Sequence, residues 1–181
     1  MNRYCTTRNR YLSILAAALT IIAGSAFAET KAPPRVTVTW APNSQLTEVK
    51  QNPSHRGWMR PNEWQHQLAK YLRQRADKLL PNGQHLHVKI TNIKLAGDFE
   101  PWLGPNMQDV RIIKDIYPPR IDLHFTLTGA DGKTISEGDR KLRDLAFLQH
   151  PIVAFSSTDP LRYDKRLLRD WLQREFGQDK T

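Results

Sequence analysis

Apolar and polar residues alternate along several short stretches of the chain. In "VTVTW", Val36, Val38 and Trp40 fall on one side and two threonines on the other. A period of two residues is that of a β-strand with one buried face. The alternation slips by one position at Thr91-Asn92, which predicts a β-bulge. The same pattern predicts further strands at 86–95, 110–114, 121–127 and 134–142.

Two other stretches repeat their apolar residues about every 3.6 positions, which is typical of a helix with one buried side. The first begins near Pro61 and ends before the Pro-Asn-Gly sequence at 81–83. The second begins at Asp159-Pro160, with Asp159 as the expected cap, and runs to about Phe176. Residues 41–60 show no sustained period, so we expect a long surface connection there.

The order of these elements is strand, helix, four strands, helix. Short connections between the later strands favour antiparallel neighbours, because a tight turn such as "GADG" can only join antiparallel strands. We therefore expect an α+β fold with an antiparallel sheet of about five strands and two helices packed on one face. The length fits a single domain over residues 29–181.

The first 28 residues have the composition of a secretory signal peptide. Three arginines precede a short apolar run, and the small residues Ala26 and Ala28 form a cleavage site after Ala28. The apolar run is too short to span a membrane, and no cysteine follows Ala28 to carry a lipid. The chain's single cysteine, Cys5, precedes that site. We expect a periplasmic protein with neither a transmembrane nor a lipid anchor.

The chain is basic, with 27 Lys and Arg against 18 Asp and Glu and a net charge of +9. Cleavage after Ala28 removes three arginines and leaves +6. In the envelope this charge suggests an acidic cell-wall polymer as a weak partner, although simple solubility is the preferred explanation of the charge. An envelope protein is the other candidate partner, and we expect no nucleic acid. The last helix adds a basic strip at Arg162, Lys165, Arg166 and Arg169, for which a solvated surface is the alternative reading.

The segment "GDFEPWLGPNMQD", residues 97–109, interrupts the strands with Gly, Pro, acidic residues and Trp102. Its two prolines stiffen the backbone and its two glycines allow it to kink sharply, so we expect a shaped loop. Such a loop could be a binding surface, or Trp102 could fold back and cap the open end of the sheet. The candidate binding surface contains Asp98, Trp102, Asp109, Arg111, Tyr117 and Arg120.

Two charged residues lie in the apolar sectors of otherwise well-separated helices. They are Arg75 in the first helix and Asp164 in the last. An unpaired charge in a dry site costs several kcal/mol, on the order of the effective penalty for burying an ion. We expect each to meet an opposite charge at the boundary of helix and sheet. The candidates are a pair between Arg75 and Asp164 or, for Asp164, a pair with Arg111 or Arg120. For Arg75 the alternative is a side chain that reaches water along its stem.

No motif of a common enzyme class is present, whether a nucleophile elbow, a phosphate-binding loop, a zinc-protease helix or a dinucleotide fingerprint. From the sequence we assign no cofactor, no metal and no catalytic residue. His85 and His87 point the same way along one strand and His124 could join them, but ordinary solvent-facing histidines are the preferred reading. Acidic residues at 98, 100, 109 and 115 could form a pair for glycan hydrolysis, although turn and capping roles are favoured.

Several short sequences resemble a known family of exported bacterial proteins. They include "LAGD" at 95–98, "GP" at 104–105, "VR" at 110–111 and "DIYPPR" at 115–120, followed by "RY" at 162–163 and "DW" at 170–171. Together they are similar to the family called domain of unknown function 3016, over nearly all of the chain after residue 28. The resemblance implies export and a single domain. It implies no activity, ligand or catalytic residue.

These observations favour a non-enzymatic binding or accessory protein of the cell envelope that acts through the 97–109 loop and its neighbours. The alternative is a cell-wall or glycan hydrolase that uses carboxylates of the 97–115 region. A hydrolase needs two carboxyl groups that converge in a cleft, one with a raised pKa, whereas a binding protein needs exposed aromatic and basic side chains. A purely structural accessory subunit would instead expose an apolar patch.

Overall fold

A computed structural model describes residues 34–52, 59–150 and 157–177. The described residues form six strands and three α-helices, with three short 3-10 turns between them. The strands are β1 Val36–Trp40, β2 His85–Lys94, β3 Asp98–Phe99, β4 Arg111–Ile112, β5 Arg120–Thr128 and β6 Thr134–Arg143. The helices are α1 Thr47–Gln51, α2 Pro61–Leu79 and α3 Arg162–Phe176. The predicted signal peptide at 1–28 lies outside the described residues.

The α+β class is confirmed, but the sheet differs from the predicted one. The main sheet has four strands in the order β1-β2-β5-β6. β1 runs parallel to β2, and the other two pairs are antiparallel. Parallel neighbours need a long crossover, and the segment that contains α1 and α2 supplies it. The main sheet is therefore mostly antiparallel rather than wholly so, and it has four strands where about five were expected.

The missing fifth strand belongs to a separate small sheet. β4 covers only Arg111–Ile112 and pairs with β3, Asp98–Phe99, as a two-stranded antiparallel ribbon. Between these strands lie two 3-10 turns, Pro101–Leu103 and Pro105–Met107. The proline at the start of each turn suits its first position, where no amide hydrogen bond is needed. We call residues 97–117 the tip segment.

The core lies between the main sheet and two helices that pack on each other. Alternate residues of β2 and β5 are buried and share a cluster with the apolar sides of α2 and α3. Two tryptophans are fully buried there, Trp64 of α2 and Trp171 of α3. The apolar residues expected on the last helix, from Leu161 to Leu172, are all in this core. The remaining residues of β2 and β5 are wholly or partly exposed.

The bulge predicted at Thr91-Asn92 is confirmed by a register shift between Ile90 and Asn92. It has a clear structural role. The Asn92 Oδ1 accepts hydrogen bonds from the amides of Thr47 and Ile93, each at 2.9 Å. Asn92 thereby bonds the first amide of α1, one of the amides that a helix leaves unpaired at its start. The bulge therefore fixes α1 beside the end of β2.

The first residue and the cap of α3 differ from the prediction. The helix begins at Arg162, two residues later than the sequence pattern indicates, and its capping position is Leu161. Asp159 still stabilises the helix start, because its Oδ1 accepts the Leu161 amide at 2.9 Å and its Oδ2 pairs with Lys165 at 2.7 Å.

In the described part of the chain, no helix has the length and apolar character needed to cross a membrane.

Candidate functional site

An open cleft of about 250 Å³ lies at one end of the main sheet. Its floor consists of side chains from β2, β5 and β6. One wall is α1, through Thr47 and Gln51, and another is the turn at 116–118 that closes the tip segment. Of the predicted binding residues, Asp98, Tyr117 and Arg120 line this cleft. The structure adds further lining residues that sequence reasoning did not single out: Asn92, Lys94, Asp122 and Arg143.

Strand register explains why these charges meet. Arg120 of β5 lies between Lys94 of β2 and Arg143 of β6, so three cations stand side by side across the sheet. In the next row Asp122 lies between Asn92 and Lys141. We call Lys94, Arg120 and Arg143 the cation row. Like charges that face each other across strands repel, so such a row needs compensating anions.

The two outer cations of the row have anionic partners. The Lys94 Nζ is 3.0 Å from Asp98 Oδ1 and 3.5 Å from Glu48 Oε2. An Arg143 nitrogen is 2.7 Å from Asp122 Oδ1. Arg120 is exposed, and it makes no salt bridge or side-chain hydrogen bond with any residue that the structure describes. Among the described residues, Arg120 is therefore the one cation of the row that has no anionic partner.

A buried ion pair joins α1 to β4, next to Lys94 of the cation row. Arg111 donates to Glu48 through two nitrogens, at 2.7 Å to Oε1 and 3.1 Å to Oε2. It also donates to the carbonyl oxygens of Leu95, Ala96 and Gly97, at 2.9, 2.7 and 2.9 Å. Only 4% of its side chain is exposed, so Arg111 lies in the interior and is not part of the exposed surface on which we expected it.

Glu48 was missed because it lies in the stretch taken for a surface connection. α1 has only five residues, which is too few for its apolar period to stand out. Burial by itself favours the protonated form of this carboxyl. The charges of Arg111 and Lys94, with a hydrogen bond from the Leu95 amide at 3.0 Å, outweigh it, so the pKa of Glu48 is lowered.

A second buried carboxylate holds the tip segment in shape. Glu100 accepts hydrogen bonds from Lys114 at 2.7 and 2.8 Å and from the Tyr117 hydroxyl at 2.8 Å. The bond from Lys114 is the main reason that the pKa of Glu100 is lowered. Gly97 joins the other end of the segment, because its amide donates to the Tyr117 carbonyl at 2.9 Å. The cleft wall is therefore fixed from both ends.

The structure places Asp164 in the interior, 1% exposed, beside the same network. Its Oδ1 accepts the Ala96 amide at 3.1 Å, whereas its Oδ2 has no hydrogen-bond partner among the described residues. Burial raises the pKa of Asp164 to about 7, although the nearby charge of Arg111 acts in the opposite direction. Arg75, the other charged residue in the apolar sector of a helix, is only half-buried.

The tip segment exposes its tryptophan. Trp102 is 70% exposed, so it does not fold back to cap the sheet. Three further apolar side chains of the same segment are exposed as well, and so is Asp109. The apolar ones are Leu103, Val110 and Ile116. Trp102 and Asp109 do not line the cleft, whereas Ile116 does.

The expected basic strip on α3 is interrupted. Arg166 is 2% exposed, and it donates to Asp144 at 2.7 Å and to the Phe147 carbonyl at 2.6 Å. Its role is to hold the turn after β6 against α3. Lys165 is also largely covered by its pair with Asp159. The strip was wrong as an outward surface, because two of its four members face the protein.

The histidines of the main sheet interact with neighbouring residues. His87 Nε2 is 3.1 Å from Thr39 Oγ1, and His124 Nδ1 is 2.9 Å from Asp139 Oδ1. His124 lies opposite Lys89 rather than opposite His87. In the residues that the structure describes, no group of three or more His, Cys, Asp and Glu could hold a metal ion.

The fold and the site define an α+β protein with an open polar cleft at one end of its main sheet. Residues 34–174 match the family described as Protein of unknown function (DUF3016), and the chain belongs to that family. The match extends from just before β1 into α3, and it includes all the residues of the cleft. No curated protein and no solved structure matches the chain.

Proposed function

We propose that the protein is an exported, non-enzymatic binding domain of the bacterial cell envelope, which holds an acidic envelope polymer in the cleft around Arg120. One observation carries the proposal: the central cation of the row is exposed and unpaired among the described residues, whereas its two neighbours are paired. Arginine presents a planar fork of donors that matches carboxylate and phosphate groups. The basic character of the chain would assist the approach of such a polymer.

The state of the acidic residues supports binding over hydrolysis. A hydrolase of this kind needs one carboxyl group with a raised pKa to act as the acid. For Asp98, burial is outweighed by Lys94, and for Glu100 the bond from Lys114 dominates, so the pKa of each carboxyl is lowered. Asp164 has a raised pKa, but it is buried in the core and does not line the cleft.

The exposed tip would extend the binding surface beyond the cleft. The tip segment contributes both Ile116 and Tyr117 of the cleft wall and the exposed Trp102. Tryptophan and arginine are the residue types that most often dominate the energetics of recognition surfaces. A long polymer could contact both, with its charged group at Arg120 and its apolar surface at Trp102.

Co-sedimentation with isolated envelope material tests this proposal. We expect the domain to be retained, and Arg120→Gln to reduce retention several-fold at low salt. Arg174→Gln is the matched control, because Arg174 is exposed on α3 and its loss changes the net charge equally. Equal retention of the two variants would contradict a role for the cleft. Turnover of envelope polysaccharide that Asp98→Asn abolishes would favour the hydrolase instead.

A further inference from the structure

The cations of the row repel each other, which destabilises the folded protein, and a bound anion would offset this repulsion. Cross-strand partners have their Cβ atoms about 4.5–5.5 Å apart, and like charges at this separation are destabilising. Arg120 has such a neighbour on each side, Lys94 and Arg143. The nearby acids Asp98 and Asp122 pair with these neighbours and leave Arg120 without an anion among the described residues. The geometry is that of a preformed site for one anionic group.

The charge balance of the cleft favours a ligand with a single negative charge. Its lining contains three cationic and two anionic side chains, which gives +1. Asp98 and Asp122 are 25% and 22% exposed at their side chains, so both face the ligand space. A phosphate dianion would leave the cleft with a net negative charge beside these two carboxylates. A single carboxylate meets Arg120 without this excess of negative charge.

The other lining groups suit a ring with hydroxyl groups. The exposed parts of the two carboxylates are strong acceptors for hydroxyl donors, while Thr47 and Gln51 offer further polar groups. Ile116, 65% exposed, supplies an apolar surface for the C–H side of a ring. The cleft has a volume of about 250 Å³. That is space for one sugar ring.

We infer that the cleft binds one hexuronic acid residue of an acidic polysaccharide, with its carboxylate on Arg120 and its hydroxyl groups on Asp98 and Asp122. This inference rests on the proposed function, because it specifies the class of polymer and the chemical group that the cleft binds. The cleft wall needs no rearrangement, since Glu100 and Gly97 already fix the turn that carries Ile116. Preformed sites lose less free energy to ordering when they bind.

Calorimetric titration with oligogalacturonate tests the inference. We expect wild type to bind it, while a neutral oligomer of glucose of the same length and inorganic phosphate do not compete. Arg120→Gln should weaken binding about tenfold or more, because a charge-assisted bidentate contact is lost. Arg120→Lys should fall between the two, since an ammonium keeps the charge without the planar fork. Arg174→Gln should bind like wild type.

Three outcomes would overturn the inference. They are no binding of oligogalacturonate, equal binding by Arg120→Gln, and equal competition by inorganic phosphate, which would indicate a general anion site. Comparison with co-sedimentation separates the two levels of the account. If Arg120→Gln loses envelope retention but oligogalacturonate does not bind, the uronic acid inference fails and the proposed function stands. If envelope retention is also independent of Arg120, both fail.

Discussion

Arg111 and Glu48 form a bidentate salt bridge in the interior, with contacts of 2.7 and 3.1 Å and side-chain exposures of 4% and 2%. The two residues are 63 positions apart and join α1 to the tip segment. Through the same guanidinium, β4 is bonded to the carbonyl groups of residues 95–97 at the end of β2. This pair therefore holds together the elements that form both walls of the cleft.

Breaking this pair should destabilise the fold strongly. Arg111→Ala leaves the Glu48 carboxylate buried with its main partner removed, so we expect a loss of about 3–5 kcal/mol in the free energy of unfolding. Denaturant unfolding measures this. The exposed pair of Lys133 and Asp131, 3.5 Å apart, is the comparison, and Lys133→Ala should cost no more than about 0.5 kcal/mol. Similar losses for the two variants would contradict the role assigned to Arg111.

Gly97 should tolerate no side chain. Its φ is +81°, and an added Cβ would lie 2.6 Å from the Ile112 carbonyl oxygen and 2.6 Å from an Ile113 methyl carbon. We expect Gly97→Ala to cost about 2–4 kcal/mol from strain and overpacking together. Gly132→Ala separates the two causes, because φ is +77° there and no atom lies within 4 Å. Its cost should be only about 1 kcal/mol.

Asp164 should make stability depend on pH in an unusual direction for an acid. Its pKa is about 7 in the folded protein and near 3.9 in an unfolded chain, so the folded state holds an extra proton between these values. The contribution of Asp164 to the free energy of unfolding is fully present below about pH 4 and is lost as the pH rises towards 7. The loss approaches about 1.4 kcal/mol per pH unit within that window.

The variant Asp164→Asn isolates this effect. Asparagine keeps the oxygen that accepts the Ala96 amide but cannot ionise, so the variant should gain stability relative to wild type as pH rises from 4 to 7. Unfolding of both proteins, measured at each pH, gives the difference directly. Carboxyl groups that do not interact with Asp164, such as Glu100, contribute equally to both proteins and cancel. A difference that is flat across this range would contradict a buried, protonated Asp164.

Trp102 should contribute to binding rather than to stability. Because 70% of it is exposed, Trp102→Ala should change the free energy of unfolding by no more than about 0.5 kcal/mol. The buried Trp64, 1% exposed, is the comparison, and its replacement by Ala should cost about 3–5 kcal/mol. Thermal unfolding of both variants distinguishes a surface residue from a cap. A large loss for Trp102→Ala would mean that the ring stabilises the sheet end.

Sequence periodicity predicted most of the main sheet and both long helices, because each has a buried face that repeats over several residues. β1, the bulge and the apolar side of α3 were found in this way. The parallel pairing of β1 with β2 was not predicted, since the period of apolar residues does not reveal which strands are neighbours. The strand predicted at 110–114 was real only at Arg111–Ile112, and two residues are too few for a period to show.

The candidate site could be predicted only in part for the same reason. Alternation indicates which residues share a face, and sequence reasoning named Arg120 only as one candidate of the binding surface. Strand register decides which residues of different strands are neighbours, and only the structure shows that Lys94 and Arg143 flank Arg120. The interior position of Arg111 follows from its pairing with Glu48, a residue that carried no sequence signal.

The central claim is that a ligand enters the cleft at Arg120. Nuclear magnetic resonance of the nitrogen-labelled protein with solubilised envelope polysaccharide tests it most directly. We expect the largest shifts at cleft residues of three strands and α1, among them Asn92, Arg120 and Arg143. The exposed Arg174 of α3 should be unaffected. Shifts confined to α3, or no shifts at the cleft when polysaccharide is in excess, would contradict the account.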